Sequence, residues 1–121
     1  MNKRRTREGI VDISTNQTAA GLLVKVKEPR IDAAVAIEFK EAVRAAADGK
    51  DGPVILDLGD VTFLDSSGLG AVVAVMKLLG PQRPLHLASL TPPVAKVFRL
   101  TRMDSIFTIH QHPPCEMKAT G

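Results

Sequence analysis

The chain has no tryptophan and no tyrosine, and its four phenylalanines are all of its aromatic content, 3%. Sequence-tolerant binding of single-stranded nucleic acid stacks bases on aromatic side chains, so that mode of binding has no platform here. The core must be built from Val, Ile, Leu and Ala with a few Phe, which suits buried strands covered by helices. A single cysteine, Cys115, excludes an intrachain disulfide framework and fits a reducing cytosol. The longest apolar run, Leu69 to Met76, stops at Lys77 and is far too short to span a bilayer. The basic start, Lys3, Arg4, Arg5 and Arg7, is followed by Gly9-Ile10-Val11-Asp12 and not by an apolar stretch, so no secretory signal is legible. These absences together predict a cytoplasmic protein. No Gly-rich loop ends in Gly-Lys-Ser or Gly-Lys-Thr, which removes the commonest ATP-binding loop.

What is present describes one domain. A chain of 121 residues with 45% hydrophobic content can bury a single core and no more. The net charge of +3 is concentrated in the first residues. Without a second basic cluster interleaved with aromatics, they read as a solvated arm and not as a nucleic-acid contact. Residues 1–9 are therefore expected to form a flexible arm, 10–109 the folded domain, and the Pro-rich 110–121 a flexible tail.

Residues 10–16 and 22–27 read as strands. Leu22, Val24 and Val26 alternate with Leu23, Lys25 and Lys27, and Thr18-Ala19-Ala20-Gly21 makes a hairpin turn. Asp32 is placed to cap a helix from Ala33 to Ala47, with Val35, Phe39, Ala42, Val43 and Ala46 on one face. Val54 to Leu58 is aliphatic and β-branched, as in a strand buried on both faces. A second helix spans Ser66 to Leu79 and closes at Gly80-Pro81. Pro84 to Ala88 is a strand, Thr91-Pro92-Pro93 opens a third helix with Thr91 as its cap, and Ile106 to Ile109 is a last strand. The order β-β-α-β-α-β-α-β predicts an α/β fold: a mixed sheet with helices packed mainly on one face.

The chemistry concentrates between Val54 and Gly70. With Asp65 or Ser66 as the helix cap, Ser67 falls in the first turn, beside unpaired N–H groups and the positive end of the helix dipole. A phosphate on Ser67 is tolerated there, and adds about −1.5 to −2 charges to a small neutral surface. Asp65-Ser66-Ser67-Gly68-Leu69-Gly70, preceded by Val54-Ile55-Leu56-Asp57-Leu58 and Val61-Thr62-Phe63-Leu64, resembles the signature of STAS-domain anti-sigma factor antagonists. The resemblance extends over about residues 10–109.

That resemblance implies a bacterial, non-enzymatic partner-switching regulator of transcription. The unphosphorylated protein binds an anti-sigma factor that is also a serine kinase, and frees sigma. Phosphorylation of the second serine, Ser67 here (Ser66 is the alternative), switches binding off, and a metal-dependent PP2C-type phosphatase restores it. Asp32 resembles the acidic residue of the family's partner-facing loop. The chain departs from the pattern at Pro29-Arg30, where Gly and an acidic or polar residue are usual. It departs again at Arg102-Met103-Asp104, where a Gly often follows the third helix. A second reading is a non-switching STAS module that holds a nucleotide, lipid or small ligand in a sensory complex.

The second helix is apolar almost all round. Leu69, Val72, Val73, Met76 and Leu79 make its expected core stripe. Ser67, Ala71, Ala74 and Leu78, at i, i+4, i+7 and i+11, then form an exposed partner-binding strip that continues Asp32, Asp65, Ser66 and Gly68. Asp57 and Asp60 read as loop-stabilising carboxylates and not as catalytic ones. His110-Gln111-His112 and Cys115 lack the second pair that closes a zinc set, and His86 reads as a packed or surface histidine. No cofactor, no metal and no direct nucleic-acid contact are expected. The expected state is a monomer or weak dimer.

Overall fold

The computed structural model describes residues 11–113. The expected arms at 1–9 and beyond 113 lie outside them. Strand β1 (Ile13–Thr18) and strand β2 (Gly21–Val26) form the antiparallel hairpin. Its turn is fixed by the Thr18 hydroxyl, which accepts from the Ala20 and Gly21 N–H groups at 3.1 and 3.2 Å. This tight turn carries β1 further than the sequence pattern indicated. Gly21 has φ +142°, and a Cβ there would meet the Pro53 main chain.

Strand β4 (Val54–Asp57) pairs in parallel with β2 and with β6 (Leu85–Ala88), and β6 pairs in parallel with β7 (Thr108–His110). The sheet order is β1-β2-β4-β6-β7. All four residues of β4 are buried, as its aliphatic run predicts. Two further strands of two residues each, β3 (Arg30–Ile31) and β5 (Phe63–Leu64), pair in parallel as a separate small sheet. They are too short to leave a periodic signal in the sequence.

Three helices complete the domain: α1 (Ala36–Ala47), α2 (Ser66–Leu79) and α3 (Pro92–Leu100). A 3₁₀ turn, Met103–Ser105, leads into β7. The main core lies between the helices and one face of the sheet. It contains Leu22, Val24 and Val26 of β2, Val54 and Leu56 of β4, Leu85 and Leu87 of β6, Phe39 and Val43 of α1, Val72 and Val75 of α2, and Val94 and Phe98 of α3. The alternate residues Leu23, Ile55 and His86 sit side by side in register on the other face.

One expected cap is corrected, and the other keeps its position but not its side-chain bond. Helix α1 starts at Ala36 with Val35 at its cap position and no side-chain cap. Asp32 closes the preceding turn instead: its Oδ1 accepts from the Ala34 N–H at 3.1 Å. Thr91 does stand at the cap of α3, but its hydroxyl donates to the Val61 carbonyl at 2.6 Å and so ties the helix start to the loop before β5. In both cases a short polar side chain found a better acceptor or donor than its own helix offered. The last strand runs one residue beyond its expected end, so His110 belongs to the sheet and not to the tail.

Candidate functional site

Asp65 is the cap of α2. Its backbone is extended, and its Oδ1 accepts from the Gly68 N–H at 2.9 Å. Ser66 and Ser67 are then the first two helical residues, and both are exposed. No acidic residue occupies the first turn, and the Asp65 carboxylate caps the positive end of the helix.

Gly68 is buried, with its open side against β3. A Cβ placed on it would lie 2.9 Å from the Ile31 carbonyl carbon and nearer still to the oxygen. This glycine is therefore a close-approach residue, where backbone meets backbone. Its expected place in a partner-facing surface is not supported by its burial. The contact joins the start of α2 directly to the strand that carries Arg30 at one side of Ile31 and leads into Asp32 on the other.

Arg30 and Phe63 stand opposite each other in the β3–β5 register, and Ile31 and Leu64 point inward beside them. The Arg30 guanidinium lies 4.3 Å from the centre of the Phe63 ring. Its Nε donates to Asp32 Oδ2 at 3.2 Å. The hydrogen bond from Arg30 is the largest cause holding the Asp32 carboxyl below its ordinary value of 3.8, with the Ala34 N–H assisting and desolvation opposing. Phe63 remains 40% exposed. The pair of strands is fixed by the Pro29 carbonyl, which accepts from Thr62 and Phe63 N–H groups at 2.8 and 3.2 Å. Neither Arg30 nor Phe63 was picked out as functional from sequence, because a lone Phe in an aliphatic run reads as core.

The expected strip along α2 is broken. Ala71 is buried at 7% exposure and Ala74 is half-buried, whereas Leu78 is 52% exposed. The fully buried row is Gly68, Ala71, Val72 and Val75, and Leu69, Val73, Met76 and Leu79 flank it in partial burial. The reason is closeness: Gly68 lets the start of the helix lie against the β3 main chain, and Ala71 faces inward one turn further on. The outward face of α2 is Ser66, Ser67, Gly70, Lys77 and Leu78.

Asp57 and Asp60 are brought together, but around a lysine. Lys25 Nζ lies 3.9 Å from Asp57 Oδ2 and 3.8 Å from Asp60 Oδ2. Asp57 Oδ1 also accepts from the Gly59 N–H at 2.9 Å, the loop-stabilising role expected of it. Among the described residues, no group of three or more His, Cys, Asp or Glu side chains is placed to hold a metal ion. His110 pairs instead with His86 across β6 and β7, Nε2 to Nδ1 at 3.0 Å. Cys115 lies outside the described residues. No helix among those residues is long and apolar enough to cross a membrane.

This arrangement has known counterparts. The family model for the STAS domain matches residues 11–114. A protein of Bordetella bronchiseptica assigned as an anti-sigma factor antagonist, BtrV, is 32% identical over 90 residues, 74% of this chain and 78% of that protein. The chain therefore belongs to the STAS-domain family of anti-sigma factor antagonists. Among solved structures, an anti-sigma factor antagonist domain protein from Planctomyces limnophilus superposes with a TM-score of 0.77 at 20% identity, over 93% of this chain and 99% of that one. SpoIIAA in its unphosphorylated form matches with a TM-score of 0.65 at 18% identity, covering 90% of this chain and 93% of its own. The same Bacillus protein in its phosphorylated form matches with a TM-score of 0.60 at 19% identity, over 90% and 96%. At these identities the structural likenesses establish the fold.

Proposed function

We propose that this protein is a cytoplasmic bacterial anti-sigma factor antagonist switched by phosphorylation of Ser67. Its unphosphorylated form binds an anti-sigma factor that is also a serine kinase, and so releases a sigma factor. A PP2C-type phosphatase returns the phosphorylated form to the binding state. The observation that carries this reading is the placement of Ser67: an exposed hydroxyl on the second residue of α2, in a turn capped by Asp65 and free of other acidic residues. An added phosphate there meets the positive end of a helix, so the domain stays folded. A partner lying on the same surface must then desolvate about −1.5 to −2 charges, which is costly. SpoIIAA, which shares the fold, exists in both forms. The protein acts as a monomer or weak dimer, and it contributes a surface and not a reaction.

The test is intact-mass analysis after incubation with ATP and the cognate kinase, with partner binding measured on both forms. Modification of Ser67 and loss of affinity on modification support the proposal. Modification at Ser66, or equal affinity of the two forms, overturns it.

A further inference from the structure

Arg30 is held by two groups it can leave. Its guanidinium rests on the exposed ring of Phe63 and donates to the half-buried carboxylate of Asp32. Both contacts lie at the surface, where ion pairs are weak. The residue between Arg30 and Asp32 is Ile31, whose carbonyl abuts Gly68, the neighbour of Ser67. The β3–β5 register places Ile31 against Leu64, just before the cap of α2. Arg30 and Ser67 are thus each one residue from the same backbone contact.

Resting on the phospho-switch reading above, we infer that Arg30 receives the phosphate of Ser67, giving up Asp32 to do so. The competition favours the phosphate. It carries up to twice the charge of a carboxylate and offers three acceptor oxygens to the planar guanidinium fork. The other carboxylate in the turn, Asp65, is committed to the Gly68 N–H. Phosphorylation then has two effects on the partner surface. It adds charge at Ser67, and it strips Asp32 and Phe63 of the cation that covers them. The signal reaches the loop before α1 without any movement of α2.

The experiment installs phosphoserine at position 67 during translation and titrates the phosphate by ³¹P NMR in three backgrounds: unchanged, Arg30→Gln and Asp32→Asn. The second phosphate pKa is ordinarily about 6. The inference expects it to be lowered by roughly half a unit or more beside Arg30, restored upward in Arg30→Gln, and lowered further in Asp32→Asn, where Arg30 has no competing carboxylate. The helix end acts equally on all three and cancels in the comparison. Equal values in the unchanged protein and Arg30→Gln overturn the inference. Partner affinity of the same samples keeps the two proposals apart. Affinity lost on phosphorylation with no Arg30 dependence of the phosphate pKa sinks the Arg30 pairing and leaves the switch. Affinity retained, with the pKa shift present, sinks the switch and leaves the pairing.

Discussion

Gly68 packs on the main chain of Ile31, and this contact sets how close α2 lies to the small β3–β5 sheet. It converts one letter of the Asp65-Ser66-Ser67-Gly68 motif into a steric requirement. The Cβ of an alanine at 68 would press on backbone atoms, which cannot swing aside as a side chain can. Gly68→Ala is therefore expected to cost about 1–3 kcal/mol or to push the first turn of α2 outward. Gly70, two residues on, has open space where a Cβ would go. Gly70→Ala should stabilise by about 0.5–1 kcal/mol, as expected for removing glycine from a helix interior. Opposite signs in thermal melts of the two variants check the argument. Equal tolerance of both would show that the Ile31 contact does not constrain the helix.

Arg83 fastens the end of α1. Its Nε donates to the Gly52 carbonyl and its Nη1 to the Ala47 carbonyl, both at 2.9 Å. Ala47 is the last residue of the helix, so one of its unpaired carbonyls is satisfied from the strand-side loop. Arg83→Ala should cost about 1.5–3 kcal/mol, the range for hydrogen bonds to a charged group. Arg83→Lys should recover only part, because an ammonium cannot span two carbonyls with a rigid fork. Chemical denaturation of the three proteins measures this. Full recovery by lysine would mean that charge alone matters at this position.

Arg102 stands where the third helix gives way to the 3₁₀ turn, and its backbone is left-handed, with φ 64°. The family resemblance placed a glycine near this point, and the structure shows the conformation that a glycine would suit. Left-handed backbone costs a non-glycine residue about 1–2 kcal/mol. Part of the gain from glycine is lost to its freer unfolded chain. Arg102→Gly should raise stability by about 0.5–1 kcal/mol on balance. A lower melting temperature in this variant would place the contribution of Arg102 in its side chain and not its backbone.

The His86–His110 pair predicts a pH dependence. Burial, first, and the neighbouring charge of His110, second, lower the His86 pKa from 6.5. Above 6.5 the folded and unfolded chains both hold His86 neutral, so it gives no slope. As pH falls below 6.5, the unfolded chain takes up a proton that the folded one resists, and stability declines until the folded pKa is passed. Asp32 and Glu41, whose pKa values are lowered chiefly by hydrogen bonds from Arg30 and Arg44, shift stability in the same direction but only below about 4.5. Denaturant midpoints at pH 7.5, 6 and 5 should fall for the parent protein and fall less for His86→Gln. Identical slopes would remove His86 as the cause.

The five strands of the main sheet, the three helices and the mixed character of that sheet were legible because each rests on several residues of consistent period. The site was legible only in part. Asp65 and Ser67 were placed by cap chemistry, which is local in sequence. Ala71 departs from its expected exposure, and Thr91 keeps its cap position without a cap bond, because both roles depend on a group distant in sequence or on a packed element. Asp32 departs for a local reason, since its carboxylate closes the turn at Ala34 before a helix that starts at Ala36. Thr91 bonds Val61, and Ala71 faces inward because Gly68 lets the helix approach. Arg30 and Phe63 meet only through strands two residues long, which no periodicity can announce.

The corrected face of α2 yields the last prediction. If a partner covers Ser67, the helix surface it meets next is Gly70 and then Lys77 and Leu78, not the line through Ala71. Leu78 is a large apolar side chain at 52% exposure, at the rim of a groove of about 150 Å³ that Arg44, Ala47 and Asp48 of the α1 end also line. Leu78→Glu removes apolar area from that surface and adds charge, but disturbs no core contact, so its stability cost should stay under about 0.5 kcal/mol. Ala71→Glu places a carboxylate in the buried row and should unfold or strongly destabilise the domain. Gly70→Glu adds charge one turn from Ser67, with space to accommodate it. Binding calorimetry against the anti-sigma partner, with thermal melts alongside, should find Gly70→Glu and Leu78→Glu folded and weakened in affinity. Ala71→Glu should be lost to unfolding before binding can be measured. A folded Ala71→Glu with reduced affinity would restore the original strip. Unchanged affinity in both Gly70→Glu and Leu78→Glu would confine the interface to the cap, Ser67 and the Arg30–Asp32 loop.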